Sequence, residues 1–184
     1  MYLIGTFAHD KVTALADMPQ SSIGAPCPVV IADEHHLAVA FYVEVRGEQW
    51  DGTTVRVVGP ESEGEPFAVV TFKRPLAYFH GPPNDEAFGG HPLSKRGLRP
   101  YGAFEVKGST WLALLTKMNR VHPCHKDVHY ADYRHLILTF HDTTFECVAK
   151  GYEVRTGVGS LRSAMESMIK EMNGDTKSCR WVKR

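Results

Sequence analysis

Ten histidines stand in this chain, and five of them, His122, His125, His129, His135 and His141, fall within one stretch of the sequence. Imidazole titrates close to neutral pH and is a common metal ligand, so such a concentration is raw material for proton transfer or metal binding. Three groupings follow from the spacing.

The first is a β-hairpin. Leu136 to Phe140 and Phe145 to Ala149 read as two strands joined by a turn around Asp142 and Thr143. Side chains alternate faces along a strand, so Leu136, Leu138 and Phe140 point one way and His135, Ile137, Thr139 and His141 the other. With the turn centred there, Phe140 is expected opposite Phe145, Leu138 opposite Cys147, Thr139 opposite Glu146 and His135 opposite Lys150. Glu146 then becomes the diagonal neighbour of His141. A carboxylate beside an imidazole orients the ring and raises its basicity, which makes His141, Glu146 and His135 the candidate catalytic residues. Asp142 could add an oxygen ligand if the pair held a metal. The simpler reading is a hydrogen-bonded pair on a solvated sheet face; chemistry there requires a concave cover.

The second grouping is His122, Cys124, His125 and His129. If Pro123 opens a short helix, His125 and His129 share one face at a spacing of four. These are ligand types that zinc accepts, so they are the candidate metal ligands, with a divalent metal the implied cofactor. The spacing matches no standard zinc finger and HExxH is absent; surface or capping histidines are the plainer explanation. The third grouping is Tyr78 and His80 near the end of a strand, with His91 in the loop beyond, as candidate ligand-binding residues.

Other signatures fail. Lys107-Gly108-Ser109-Thr110 lacks the upstream glycine of a phosphate loop, and neither GxSxG nor GxGxxG occurs. The N–H groups opening a helix after Ser109 could hold an anion, a generic property. Cys147 falls on the core face of the hairpin, and Cys124 beside His125 is the one thiol with a base nearby in sequence.

Several elements must position these residues. Leu37 to Val45 alternates as a strand buried on the Leu37, Val39 and Phe41 side and partly open on the Ala38, Ala40 and Tyr42 side. Thr53 to Val58 reads as its hairpin partner, and Met1 to Ala8 as a further strand. Phe67 to Phe72 and Leu76 to His80 are strands parted by Pro75, which marks an edge or a bulge. Gly81 to Pro100, with two proline- and glycine-rich turns, is a long loop of the kind that forms lids and binding sites. Tyr101 to Val106 is a strand leading into a helix capped by Ser109, with Trp111, Leu114, Leu115 and Met118 at helical spacing. A last helix starts near Ser160, carries Leu161, Met165, Met168, Ile169 and Met172, and stops at Asn173-Gly174.

That order predicts an α+β fold: a largely antiparallel β-sheet with two main α-helices packed on it, a partly closed barrel being the alternative. The 184 residues, 43% hydrophobic and 23% charged, suit one globular domain over 1–174 with a polar tail at 175–184. Lysine plus arginine equals aspartate plus glutamate at 21 each, which disfavours nucleic acid as a partner. Four scattered cysteines without a CxxC, no apolar run of membrane-spanning length and no signal-peptide pattern at the start point to a soluble cytoplasmic protein. With no complete catalytic signature, the expectation is a module that binds a protein or small-molecule ligand. A small enzyme built on the His/Glu cluster is the alternative.

Overall fold

A computed structural model describes residues 9–44 and 57–172. The expected strand at Met1 to Ala8, most of the Thr53 to Val58 strand and the polar tail lie outside them. Among the described residues, two α-helices and three short 3-10 helices accompany nine strands in two antiparallel sheets, an α+β architecture without a closed barrel. The chain forms two compact units, each drawn from two stretches: one from the chain up to Asp17 with Lys73–Gly151, the other from Met18–Phe72 with the chain from Tyr152 onward.

The second of these units holds a four-stranded sheet. Its strands are β2 (Val29–Ala32), β3 (Leu37–Tyr42), β4 (Glu65–Lys73) and β9 (Gly151–Gly159), in the order β2-β3-β4-β9. The alternation expected in β3 is present, but the Ala38, Ala40 and Tyr42 face is buried rather than partly open. The helix α2 (Leu161–Met172) lays Leu161, Ala164 and Met168 on it. Small Ala38 and Ala40 let that helix approach the strand closely, while Tyr42 reaches past its start, accepting a hydrogen bond from Leu161 N–H at 3.2 Å. The helix stripe is rotated from the sequence expectation: Ala164 faces inward, and Ile169 is 46% exposed.

The other unit carries the candidate chemistry. Its sheet runs β1-β6-β7-β8-β5, with β1 (Lys11–Ala14), β5 (Ala77–Gly81), β6 (Gly102–Lys107), β7 (Arg134–Thr139) and β8 (Thr144–Ala149). Strand β5, which follows Pro75, is an edge strand, as a residue lacking its N–H favours. Helix α1 (Thr110–Asn119) starts at Ser109, whose Oγ accepts from Leu112 N–H at 3.1 Å, the capping bond foreseen.

The β7–β8 hairpin forms, but its turn closes one residue earlier than expected, around His141 and Asp142. Phe140 N–H donates to Thr143 O, and Leu138 pairs with Phe145, Leu136 with Cys147 and Ile137 with Glu146. The register is two residues from the expected one, which preserves the division of faces but changes every neighbour.

The loop between β5 and β6 folds over the His135, Ile137 and Glu146 face. Phe88, Leu93 and Leu98 from the loop join Phe104, Val106 and Ile137 in one apolar cluster. Polar ties hold the loop at both ends: Thr144 Oγ1 donates to Pro83 O at 3.0 Å, and Thr139 Oγ1 to Arg99 O at 2.8 Å. A face that could have been solvated is therefore sealed by its own connection. Among the described residues, no helix is long and apolar enough to cross a membrane.

Candidate functional site

Once the loop covers the sheet, Glu146 is 1% exposed, with Ile137 and Phe79 as its cross-strand neighbours. Its two carboxyl oxygens meet two imidazoles. His135 Nε2 lies 2.8 Å from Oε2, and His91 Nε2, delivered by the loop, lies 3.1 Å from Oε1. Both rings are buried. Leu93 N–H donates to His91 Nδ1 at 3.1 Å, which leaves the proton of a neutral His91 on Nε2, facing the carboxyl. On the far side of His135, Nδ1 lies 2.9 Å from Ser109 Oγ. Trp111 stands edge-on to the His135 ring with centroids 5.1 Å apart, and Phe88 stacks on His91.

The result is a continuous line, Leu93 N–H, His91, Glu146, His135, Ser109, built from the loop, β8, β7 and the start of α1. Burial sets its electrostatics. Removed from water, the Glu146 carboxyl is pushed up to about 8, His91 down to about 4, and His135 down to about 3, the last with added repulsion from His91. All three groups are driven towards their neutral forms, and the carboxyl proton is shared towards His135.

Local backbone chemistry places Ser109. Gly108 has φ +66°, and a Cβ there would sit 2.6 Å from His9 O, so the strand-to-helix turn requires glycine. Of the N–H groups opening α1, that of Thr110 donates to Asp10 Oδ1 at 2.6 Å, that of Leu112 to Ser109 Oγ, and that of Ala113 to Ser109 O. The other Asp10 carboxyl oxygen is buried without a partner.

Ser109 lines an open cleft of about 630 Å³ between the α1 start and the segment leading into β7. The opposite wall carries Arg120, Asp127, Tyr130, Tyr133 and Arg134. Charges along it are mutually paired. Arg134 Nη2 reaches Glu105 Oε2 at 2.6 Å, Lys107 bonds the other Glu105 oxygen, and Arg120 clasps Asp127 at 2.8 Å. Burial acts to raise the Glu105 carboxyl, but these bonds to Arg134 and Lys107 prevail and hold it low. Leu112, Ala113 and Thr116 supply the less polar wall.

No protein-family model matches this chain, and comparison with curated proteins and with solved structures found no match. The site must therefore be read from its own geometry.

The sequence candidates distribute as follows. Of the proposed catalytic residues, His135 and Glu146 meet, but His141 does not join them. The turn instead sends His141 to Asp85, at 3.0 Å, with Tyr101 hydroxyl 3.1 Å from the same ring nitrogen and also bonded to Asp85. Those bonds, from Tyr101 first, lower the Asp85 carboxyl and push the Tyr101 phenol up to about 12. Of the ligand-binding candidates, His91 is in the buried line. Tyr78 and His80 pair across the ladder with Cys147 and Phe145, on the opposite sheet face from Glu146. Tyr78 stacks on Phe145, and His80 meets Thr143 Oγ1 at 3.1 Å.

His122, Cys124, His125 and His129 do line one small pocket, of about 310 Å³, with Tyr130 and Tyr133. Two of the rings are engaged locally: Cys124 N–H donates to His122 Nδ1, and His125 bridges Asn119 and Asp127. Among the described residues, no group of three or more His, Cys, Asp or Glu side chains is arranged to hold a metal ion. Cys147 is fully buried and its thiol is pushed up by that burial, as its core position implied. Phe88 is buried and Tyr101 half-buried.

Sequence reasoning found Ser109 only as a helix cap, and His91 as a ligand-binding candidate in the loop with no link to Glu146. The signal for the first was Gly-Ser between a strand and a helix. For the second, it was a histidine between two turn clusters in a loop long enough to cross a sheet.

Proposed function

We propose that this protein binds a small polar molecule in the cleft beside Ser109. The observation that carries the reading is the cleft itself. Its volume of about 630 Å³ is of the size that small-molecule sites occupy, and polar groups of both signs converge on it from α1, β6 and the approach to β7. Arg134 and Lys107 are paired with Glu105, and Arg120 with Asp127, so a ligand would meet prearranged ion pairs. Tyr130 and Tyr133, with ring centroids 6.0 Å apart and planes tilted by 34°, add aromatic surface.

The test uses protein-observed amide NMR on the nitrogen-labelled full chain, titrated with a library of small carboxylates, amides and esters. Ala113 is exposed and lines the cleft, so Ala113→Trp fills the space without touching the hydrogen bonds that hold α1. Binders are expected that shift the amide signals of Ser109, Leu112 and Arg134 and lose affinity in that variant. A library without binders, or binders indifferent to Ala113→Trp, overturns the proposal.

A further inference from the structure

We propose that Ser109 is a nucleophile and His135 its general base in the hydrolysis of a small carboxylic ester held in the cleft. The inference rests on the reading of that cleft as a ligand site and adds a reaction to it.

Ser109 Oγ is the end of the buried line and its one member on the cleft wall. Because Leu93 N–H occupies His91 Nδ1, His91 presents Nε2–H to Glu146 Oε1. Once Glu146 is ionised, its Oε2 takes Nε2–H of His135, and the His135 Nδ1 lone pair faces the Ser109 hydroxyl; while the carboxyl holds its proton, the ring hydrogen sits on Nδ1 instead. That is the arrangement an activated hydroxyl needs: nucleophile and base within hydrogen-bond reach, and a third group fixing the base's tautomer. It differs from the usual triad in using the ring nitrogens in the opposite order, which does not alter the proton bookkeeping. His91 and Glu146 touch no substrate and act as positioning residues. The line ends on Ser109, which is 6% exposed and is the one member of the line among the residues lining the cleft.

A donor for the developing negative charge is also present. Among the first N–H groups of α1, those of Thr110, Leu112 and Ala113 are taken, which leaves that of Trp111 beside Ser109. In the reaction, Ser109 Oγ bonds to the ester carbonyl carbon while its proton moves to His135 Nδ1. The adduct collapses, the carbon–oxygen bond to the alcohol breaks, and the departing alkoxide takes that proton. Water then attacks the acylated Ser109 with His135 again accepting the proton, releasing a carboxylic acid and restoring the hydroxyl. No cofactor or oxidant enters the balance.

The experiment treats the full chain with a fluorophosphonate probe and, separately, with 4-nitrophenyl acetate. Expected are one phosphonyl adduct per chain, mapped by peptide mass spectrometry to Ser109, and an initial burst of 4-nitrophenol. His135→Gln is expected to slow both by at least about a hundredfold. Absence of an adduct on native wild-type protein, or an adduct at another residue, overturns the proposal without depending on how any variant folds. Binders that still report on Ala113→Trp would in that case leave the ligand-site reading standing, so the two failures are distinguishable.

Discussion

His135 Nε2 and Glu146 Oε2 lie 2.8 Å apart in a sheet face that the connection between β5 and β6 seals from water. A carboxyl in that position cannot ionise cheaply, and an imidazole beside it cannot hold an extra proton cheaply either. The pair is consequently a proton-sharing unit near neutrality, and stability and reactivity should both depend on its state.

Stability should peak near pH 6.5. Unfolded histidines take up protons below their ordinary value of 6.5, whereas native His91 and His135 refuse them down to about 4 and about 3. The native state is therefore weakened as pH falls below 6.5. Glu146 acts in the opposite sense: natively it keeps its proton up to about 8, while unfolded it releases it near 4.5, so stability is lost as pH rises through that window. Between 4.5 and 6.5 two histidines outweigh one carboxyl; above 6.5 the carboxyl acts alone. A decline on the order of 2 kcal/mol is expected from pH 6.5 to 8. Glu146→Gln should remove this alkaline decline, read from denaturant midpoints across pH; parallel curves for the two proteins would sink the idea.

The two histidines near Glu146 in sequence should separate sharply. His135→Ala removes the imidazole from both Glu146 Oε2 and the Ser109 hydroxyl inside the buried face and should cost about 3 kcal/mol. His141 is 41% exposed at its side chain, and Tyr101 keeps its own bond to Asp85 when the ring is removed. His141→Ala should therefore cost under about 1 kcal/mol. Equal losses in thermal denaturation would contradict the partition into two clusters.

Why His141 looked like the partner is a matter of one turn. Alternation in Leu136 to Phe140 and Phe145 to Ala149 identifies the strands and their faces, because face follows from parity alone. Which histidine meets Glu146 depends on where the turn closes, and a two-residue slip keeps parity while exchanging His141 for His135. The helix cap at Ser109 was legible because it is a local bond. His91 was not assignable to Glu146, since 55 residues separate them and only the folded loop brings them together. Strands β2 and β9 escaped notice: β2 is four residues long, and β9 mixes glycine and charge along its length. The division into two units leaves no linker to find. Of the three crossings, at 17–18, 72–73 and 151–152, the last two fall inside strands, within β4 and within β9.

Gly108 and Gly97 offer a controlled comparison. Both have positive φ, +66° and +100°, but a Cβ at Gly97 would meet nothing within 4 Å, whereas one at Gly108 would strike His9 O. Gly97→Ala should cost only backbone strain, about 1 kcal/mol. Gly108→Ala should cost at least twice as much in urea denaturation, because backbone must move. It should also displace Ser109, so phosphonylation should fall further than the loss of folded protein explains. Similar effects from both substitutions would show that the turn does not position the serine.

Reactivity of Ser109 should rise with pH through about 8, the value at which burial places the release of the Glu146 proton. Below it, the proton held by the carboxyl donates to His135 Nε2, and the ring's own proton then sits on Nδ1, aimed at Ser109. A base in that tautomer cannot accept the serine proton. Above it, Nε2–H donates to the carboxylate and Nδ1 is open. Glu146→Gln should fix the unfavourable arrangement at every pH, because His91 donates to the amide oxygen and leaves the amide NH₂ facing His135. The rate of phosphonylation is therefore expected to climb through pH 8 in the wild type and to stay low and flat in Glu146→Gln, although that variant gains stability at alkaline pH. A rate that follows hydroxide concentration equally in both proteins would show that Glu146 holds up the sheet and does not tune the serine.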